Sequence, residues 1–312
     1  MHTLALLRGH YLTLKPFLSR KFWPSERPQT EFWSTEIWDD GIGPVQLTGR
    51  LLRRSPDELV VVVHGLGGNC ESGYMGLALR AADRLGRSCL LLNCRGADRS
   101  GADLYHSGLG RDIGSALASD ALKEFRSVDL LGYSIGGHIT YSYVLGDIDP
   151  RLRRVAAVGA PLHLGIAAHE FDAPAWSAYR TYILESLKAI YTAAYQRRPR
   201  GLHPDRARRI TRIVEWDDNI VAPRFGFKGS SDYYATQSVG PRLGELRVEA
   251  LYVGASHDPM VSVGGVRRYL DDAPIRAVWE DRAGHLGFCE DFDLGFDAPL
   301  GLESQVLAWL AR

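Results

Sequence analysis

The chain has 312 residues, which is enough to bury a large core in one α/β domain with an insertion or in two domains. Its 37 basic and 37 acidic residues cancel, so the charge gives no support to nucleic acid as a partner, since that needs a basic excess. Its four cysteines show neither CxxC nor Cys/His metal-site spacing, and such sparse usage favours a reducing compartment, so we predict a cytoplasmic protein.

The N-terminal segment MHTLALLRGHYLTLKPFL is mildly apolar but contains Arg8 and Lys15 and lacks the cleavage pattern of a signal peptide. Residues 4–18 are predicted to form a helix with an apolar face, which leaves open a weak contact with a membrane surface. The next segment, TEIWDDGIGPVQLTGRLLR (35–53), has alternating apolar positions on both sides of a turn at residues 39–41. This pattern predicts an antiparallel pair of strands.

Six short apolar runs follow, each ending in a turn. The first, LVVVVH (59–64), is β-branched, continuous and too short for a helix, which is typical of a strand buried on both faces. The six runs are 59–64, 88–93, 127–132, 154–160, 248–255 and 275–280, and the helical segments between and after them are 74–86, 109–125, 135–146, 262–271 and 302–311. This alternation predicts an α/β fold with a mostly parallel central sheet flanked by helices on both faces.

The alternation of strands and helices stops between residues 161 and 240, where Tyr, Trp, Arg and Pro are frequent. Within this stretch residues 176–195 have a helical pattern, and the strand pattern resumes after residue 240. We therefore predict a helical lid or cap over residues 161–240. It is inserted in a core formed by residues 1–160 and 241–312, all within a single structural domain.

The sequence Gly132-Tyr133-Ser134-Ile135-Gly136 lies directly after a predicted strand and directly before a predicted helix. In a nucleophile elbow the serine occupies such a strained turn, and small flanking residues let the backbone turn without Cβ clashes. The stretch lacks the lysine of a P-loop and the spacing of a dinucleotide-binding G-x-G-x-x-G. Taken alone, G-x-S-x-G leaves a purely structural glycine-rich turn as an alternative, and two further signals favour a nucleophile.

The first signal is the glycine-rich loop HGLGGN (64–69), at the end of the strand LVVVV. Such a loop brings a backbone N–H close to the serine, beside the N–H of the residue that follows the nucleophile. We predict that the N–H groups of Leu66 and Ile135 form an oxyanion hole.

The second signal is the position of two polar residues, each just past a predicted strand. Asp258 follows the strand 248–255, and His285 follows the strand 275–280, at the sheet edge where open α/β sheets bind ligands. A nucleophilic serine needs a general base, and the base needs an orienting carboxylate. We predict that Ser134, His285 and Asp258 fill these three roles.

Several motifs together resemble the YheT-like branch of the α/β-hydrolase superfamily, which includes bacterial YheT-type hydrolases, plant EMB-eight-like proteins and animal ABHD lipid hydrolases. The resemblance spans nearly the whole chain. The matching segments are RGHYLTLKPFL (8–18), HGLGGN (64–69), NCRGADRSGADLYHSG (93–108), GYSIGGH (132–138), EWDDNIVAPRFGFKGSSDYYATQS (215–238), HDPMV (257–261) and GHLGF (284–288). Tyr11, Leu12, Trp216 and Val221 depart from the family pattern.

The resemblance implies an α/β-hydrolase fold and a serine hydrolase acting on carboxylic esters, with lipid-like acyl esters common among relatives. We predict a carboxylesterase or lipase-like enzyme for short- to medium-chain acyl esters. It would work through an acyl-enzyme and need no metal or organic cofactor. Its partner is a small-molecule ester or lipid-like substrate. An acyltransferase using the same three residues and a non-catalytic binding protein with the same fold stay open as alternatives.

The FGF and DYY portions of the segment 215–238 contain four aromatic residues: Phe225, Phe227, Tyr233 and Tyr234. Their large apolar area suits the lining of an acyl pocket, which we predict, but it suits equally a lid packed on the core. Arg95 and the YHSG turn are predicted to brace the loop below the site rather than contact the substrate.

Overall fold

A computed structural model describes residues 2–22 and 26–312 of the chain. Its centre is an eight-stranded sheet. The strands are β1 (Glu31–Asp39), β2 (Gly43–Leu52), β3 (Glu58–Val63), β4 (Ser88–Leu92), β5 (Ser127–Tyr133), β6 (Leu152–Val158), β7 (Glu249–Ala255) and β8 (Ile275–Glu280). Their order across the sheet is β1-β2-β4-β3-β5-β6-β7-β8. β2 pairs in antiparallel fashion with β1 on one side and with β4 on the other, and all other neighbouring strands are parallel.

Helices connect the strands and cover both faces of the sheet. They are α1 (His2–Phe22), α2 (Gly73–Arg84), α3 (Arg111–Leu117), α4 (Ile135–Val144), α5 (Leu164–Phe171), α6 (Ser177–Arg197), α7 (Pro204–Ala207), α8 (Ile213–Trp216), α9 (Ala222–Phe225), α10 (Ser230–Gln237), α11 (Val263–Leu270) and α12 (Leu302–Leu310). A π-helical segment, Asp217–Val221, joins α8 to α9. Within the described residues no helix is long and apolar enough to cross a membrane.

The strand β3 shows why the sheet is covered on both sides. Successive side chains of a strand point to opposite faces. Val61 and Val63 therefore belong to a core that includes residues of α3 and α4, whereas Val60 and Val62 belong to a second core with α2 and α12. All four valines are at most 1% exposed. The continuous apolar run of the sequence is the direct consequence of this two-sided burial.

The predicted fold class, a mostly parallel sheet with flanking helices, is confirmed, and the bounds of β3 to β8 differ from the predicted ones by at most two residues. β1 begins at Glu31, four residues before the segment predicted to form the antiparallel pair. The helix predicted over 109–125 is shorter. α3 ends at Leu117, Ser119 takes an extended conformation, and a single 3₁₀ turn follows over residues 120–122. The segment 161–240, named the cap segment below, contains α5 to α10. The division into core and cap stays a prediction.

Candidate active site

Ser134 lies in the turn between β5 and α4 with φ 52° and ψ −123°, a conformation that non-glycine residues rarely adopt. The chain reverses so tightly here that two of its neighbours can only be glycine. A Cβ on Gly132 would lie 2.4 Å from the carbonyl oxygen of Gly136, and a Cβ on Gly136 would lie 2.3 Å from that of Val63. The G-x-S-x-G spacing thus encodes the strained turn that presents the serine.

Ser134, His285 and Asp258 form one hydrogen-bonded series. His285 Nε2 lies 2.9 Å from Ser134 Oγ, and its Nδ1 lies 2.8 Å from Asp258 Oδ2. Asp258 Oδ1 accepts the backbone N–H groups of Met260 and Val261, which fixes the carboxylate in the turn after β7. With Nδ1–H donating to Asp258, Nε2 is free to accept the serine proton, which is the arrangement that general-base activation of a hydroxyl requires.

The loop after β3 leaves one N–H group free beside the serine. The other N–H groups of this loop have acceptors: that of Gly65 donates to Tyr74 Oη, that of Gly67 to Tyr105 Oη, that of Gly68 to the carbonyl of Gly65, and that of Asn69 to Ser72 Oγ. In the described part of the chain the N–H of Leu66 has no hydrogen-bond partner. Ile135 is the first residue of α4, so its N–H has no partner within the helix.

Sequence reasoning assigned no role to Tyr74, and it named Tyr105 only as part of the YHSG turn that braces the loop below the site. Their hydroxyl groups accept the N–H groups of Gly65 and Gly67, the two neighbours of Leu66, and thereby fix the orientation of the loop. Tyr105 begins the YHSG turn, so this hydrogen bond fits the predicted bracing role. Tyr105, His106 and Ser107 also line the cavity beside Ser134, so the turn is not confined to the bracing role that the sequence predicted. The tyrosine of the YHSG motif was visible in the sequence, but nothing in the sequence shows that it contacts the loop at 64–69.

An apolar cavity opens beside Ser134 and His285. Tyr233 and Tyr234, which the sequence predicts as pocket residues, line it, as do Leu66 and Ile135. Much of the remaining wall is aliphatic or aromatic and comes from the cap segment, including Leu164, Phe171, Ile183, Leu187, Ile190 and Ile213. A cavity of this composition accommodates an apolar chain next to the nucleophile.

Phe225 and Phe227, by contrast, are not among the residues that line this cavity. Their rings pack against His106, at centroid distances of 4.4 and 5.5 Å, and it is His106 that faces the cavity. Phe225 is the last residue of α9 and Phe227 follows the left-handed turn at Gly226, whose φ is 77°, and both rings point to His106 rather than into the cavity. The prediction that Phe225 and Phe227 line the pocket is therefore wrong.

One carboxyl group, that of Asp217, lies in the cavity wall. Burial raises its pKa to about 7, and the charges of Asp218 and Asp172 act in the same direction, while a hydrogen bond from Tyr234 opposes the shift. Tyr234 Oη lies 2.7 Å from Asp217 Oδ2. The cavity thus contains a carboxyl group that is partly neutral near physiological pH.

Asp217→Asn is expected to change the pH dependence of stability. Between about pH 4 and pH 7 the folded protein holds a proton on Asp217 that the unfolded chain releases, so the wild-type free energy of unfolding falls as pH rises. The variant lacks this slope and should exceed the wild type above pH 7 by up to about 4 kcal/mol. Urea unfolding at pH 5 and pH 8 measures the difference. If the free energy of unfolding changed with pH in the same way for both proteins, this prediction would be wrong. Asp205→Asn, at an exposed carboxylate, is the control.

Comparison with known proteins places the chain in a family. The family model for the alpha/beta hydrolase fold matches residues 58–292, a span that contains Ser134, Asp258 and His285. The chain belongs to the α/β-hydrolase family.

Individual relatives agree with this assignment. The chain is 26% identical to YheT of Escherichia coli, whose esterase assignment is provisional, over 96% of this chain and 89% of YheT. It is 24% identical to monoacylglycerol lipase of Saccharomyces cerevisiae over 78% of this chain but 60% of the lipase, so it spans about three fifths of that relative. An esterase structure from Pyrococcus furiosus, 13% identical, superposes with a TM-score of 0.52 over 82% of this chain and 84% of its own, which supports the fold alone. The predicted resemblance to YheT-type proteins is confirmed.

Proposed function

We propose that the protein is a serine hydrolase that cleaves carboxylic esters through an acyl-enzyme on Ser134. The observation that carries the proposal is the hydrogen-bonded series Asp258–His285–Ser134 at the edge of an apolar cavity. The names of the relatives, an esterase and a monoacylglycerol lipase, support the same reaction class.

In the proposed mechanism His285 takes the proton of Ser134 as the serine oxygen attacks the ester carbonyl. Asp258 holds the ring and stabilises the imidazolium that forms. The N–H groups of Leu66 and Ile135 bind the oxyanion, and loss of one such donor costs about 3 kcal/mol of transition-state stabilisation. His285 then protonates the leaving alcohol, and a water molecule hydrolyses the acyl-enzyme by the reverse sequence.

The proposed substrates are uncharged esters with short to medium acyl chains. The aliphatic wall of the cavity favours an apolar acyl group. The buried Asp217 disfavours an anionic group on the part of the substrate that reaches it.

The test is hydrolysis of p-nitrophenyl acetate, butyrate, octanoate and palmitate by the wild type, with Ser134→Ala as the blank. We expect the highest kcat/KM with butyrate or octanoate. Added acceptor alcohols distinguish hydrolysis from acyl transfer, because a transferase would form new esters at the expense of the free acid. Equal turnover by wild type and Ser134→Ala, or turnover by neither, would contradict the proposal.

A contact between α1 and a lipid surface is part of the proposal. Four exposed side chains share one face of this helix, at spacings of four, three and four residues: Leu7, Tyr11, Leu14 and Leu18. Arg8 and Lys15 are exposed beside them and favour an anionic surface.

Leu14→Glu is expected to reduce the fraction of protein that sediments with vesicles of phosphatidylcholine and phosphatidylglycerol, because it adds a negative charge to this apolar face. Leu300→Glu is the matched control, since Leu300 is also exposed but lies far along the chain, next to α12. A wild type that does not sediment with these vesicles would remove the surface contact from the proposal.

A cytoplasmic location is also part of the proposal. The four cysteines are free rather than paired in disulfides, as is usual in a reducing compartment. Cell fractionation that recovered the protein outside the cytoplasm would exclude it.

A further inference from the structure

The segment RGHYLTLKPFL is a motif to which the proposed reaction gives no role. In the structure it lies within α1, and Thr13 reaches the residue proposed as the general base. Thr13 Oγ1 accepts the backbone N–H of His285 at 2.8 Å and donates its own proton to the carbonyl of Gly9, also at 2.8 Å. The hydroxyl thus links the helix backbone to the backbone of His285.

Glycines allow this helix to approach both loops that carry the proposed acid and base. A Cβ on Gly9 would lie 2.0 Å from the carbonyl oxygen of His257, the neighbour of Asp258. A Cβ on Gly284 would lie 2.4 Å from Thr13 N, and one on Gly287 would lie 2.0 Å from the carbonyl oxygen of Leu12. The backbone of α1 therefore contacts the backbone of the Asp258 loop and that of the His285 loop. The position of α1 and the positions of these two loops depend on each other.

The same turn of α1 is anchored on the cap segment. His10 Nδ1 lies 3.0 Å from Tyr179 Oη on α6, and the two rings are stacked, with 7° between their planes. Trp176 also packs against His10, with 5.7 Å between the ring centroids and 41° between the ring planes. These contacts hold α1 over the loop of His285.

The loop of His285 has little regular structure of its own. It follows β8, and Gly284 N–H closes it by donating to the carbonyl of Gly287. In the proposed reaction the imidazole of His285 must stay within hydrogen-bond distance of Ser134 Oγ, and in the structure its Nε2 lies 2.9 Å from that atom. Displacing a catalytic group by about 1 Å can lower the rate roughly 100-fold. We infer that the turn of α1 over residues 9–13 positions His285, with Thr13 as the positioning residue. This inference rests on the proposed function.

The test compares Thr13→Val, which keeps the shape but removes the hydroxyl, with Thr13→Ser, which keeps the hydroxyl. With the best p-nitrophenyl ester, Thr13→Val is expected to lower kcat about 10- to 100-fold with KM within about twofold of wild type. Thr13→Ser should restore kcat to within about threefold. The rate of Ser134 labelling by a fluorophosphonate should follow the same order, because it depends on the same base. Thr13→Ala, a better helix former than valine, replaces Thr13→Val if that variant does not fold.

Thr236→Val is the matched control. Its hydroxyl also donates to a carbonyl one helical turn back, that of Asp232, but it is exposed on α10. Folded Thr13→Val and Thr13→Ala with wild-type kcat and labelling rate would overturn the inference while leaving the proposed function intact. A wild type with neither ester turnover nor Ser134 labelling would overturn both.

Discussion

Replacing Ser134 with alanine is expected to lower kcat for ester hydrolysis by about a millionfold, and adding His285→Ala should cost almost nothing more. In the proposed mechanism the two side chains act as one unit, because the imidazole 2.9 Å from Ser134 Oγ has no proton to accept once the hydroxyl is gone. What remains in the double variant is binding and the two N–H groups of Leu66 and Ile135. Single-turnover and steady-state assays of both single variants and the double variant measure this non-additivity.

The control for this series is Ser115→Ala on α3, whose hydroxyl donates to the carbonyl of Arg111. It should retain wild-type kcat and KM. Multiplicative losses, in which the double variant is far slower than either single variant, would indicate that Ser134 and His285 act in separate steps. A fluorophosphonate that labels Ser134→Ala as fast as the wild type would place the nucleophile elsewhere.

The fold was predictable because a strand that is buried on both faces of a sheet has a continuous apolar sequence, as β3 does. The juxtaposition of Ser134, Asp258 and His285 was predictable for a related reason. Each residue follows a parallel strand, and the carboxyl ends of β5, β7 and β8 lie at one edge of the sheet. The position of each residue just after its strand, together with the parallel arrangement of the strands, is enough to predict that the three residues lie close together.

Contacts made between distant, irregular segments were not predictable in this way. Thr13 and His285 are 272 residues apart, and no periodicity relates a helix hydroxyl to a loop N–H. Phe225 and Phe227 were misplaced because sequence reports the apolar area of an aromatic ring but not the direction in which the ring points, which here is towards His106. Glycines that allow close backbone approach, such as Gly9, were the available signal for the α1 contacts.

Arg95 is the centre of a buried charge cluster that ties the core to the cap segment. Its guanidinium, 1% exposed, binds Asp39, Asp103 and Asp112 at 2.6 to 3.0 Å. Arg224, on α9 of the cap segment, binds Asp103 as well. Burial would raise the pKa of Asp39, but Arg95 and Arg224 outweigh it and hold that pKa at about 2. The loop carrying Asp103 continues to Tyr105, which orients the loop of Leu66.

Arg95→Met is expected to destabilise the protein by at least about 3–5 kcal/mol, because it leaves carboxylates buried without their main cation. That is a large part of the roughly 5–15 kcal/mol by which proteins of this kind are stable, so urea unfolding should begin at much lower concentration. Arg95→Lys should recover only part of the loss, since an ammonium group cannot bind Asp112 through two parallel hydrogen bonds. Arg53→Met is the control. Arg53 pairs with Glu31 and Glu124 at the surface, where such pairs contribute about 0–1 kcal/mol.

The pH dependence gives this prediction a second, independent measurement. Because the pKa of Asp39 is depressed in the folded protein, its contribution to stability is present above about pH 4 and is lost as pH falls towards 2. Without Arg95 the folded-state pKa of Asp39 should rise, so the variant should lose less of its remaining stability over this acid range than the wild type does. An Arg95→Met variant with a wild-type urea midpoint and a wild-type acid transition would show that Arg224 and Arg111 alone neutralise these carboxylates. In that case the cluster would owe its stability to the cap segment and α3 rather than to Arg95.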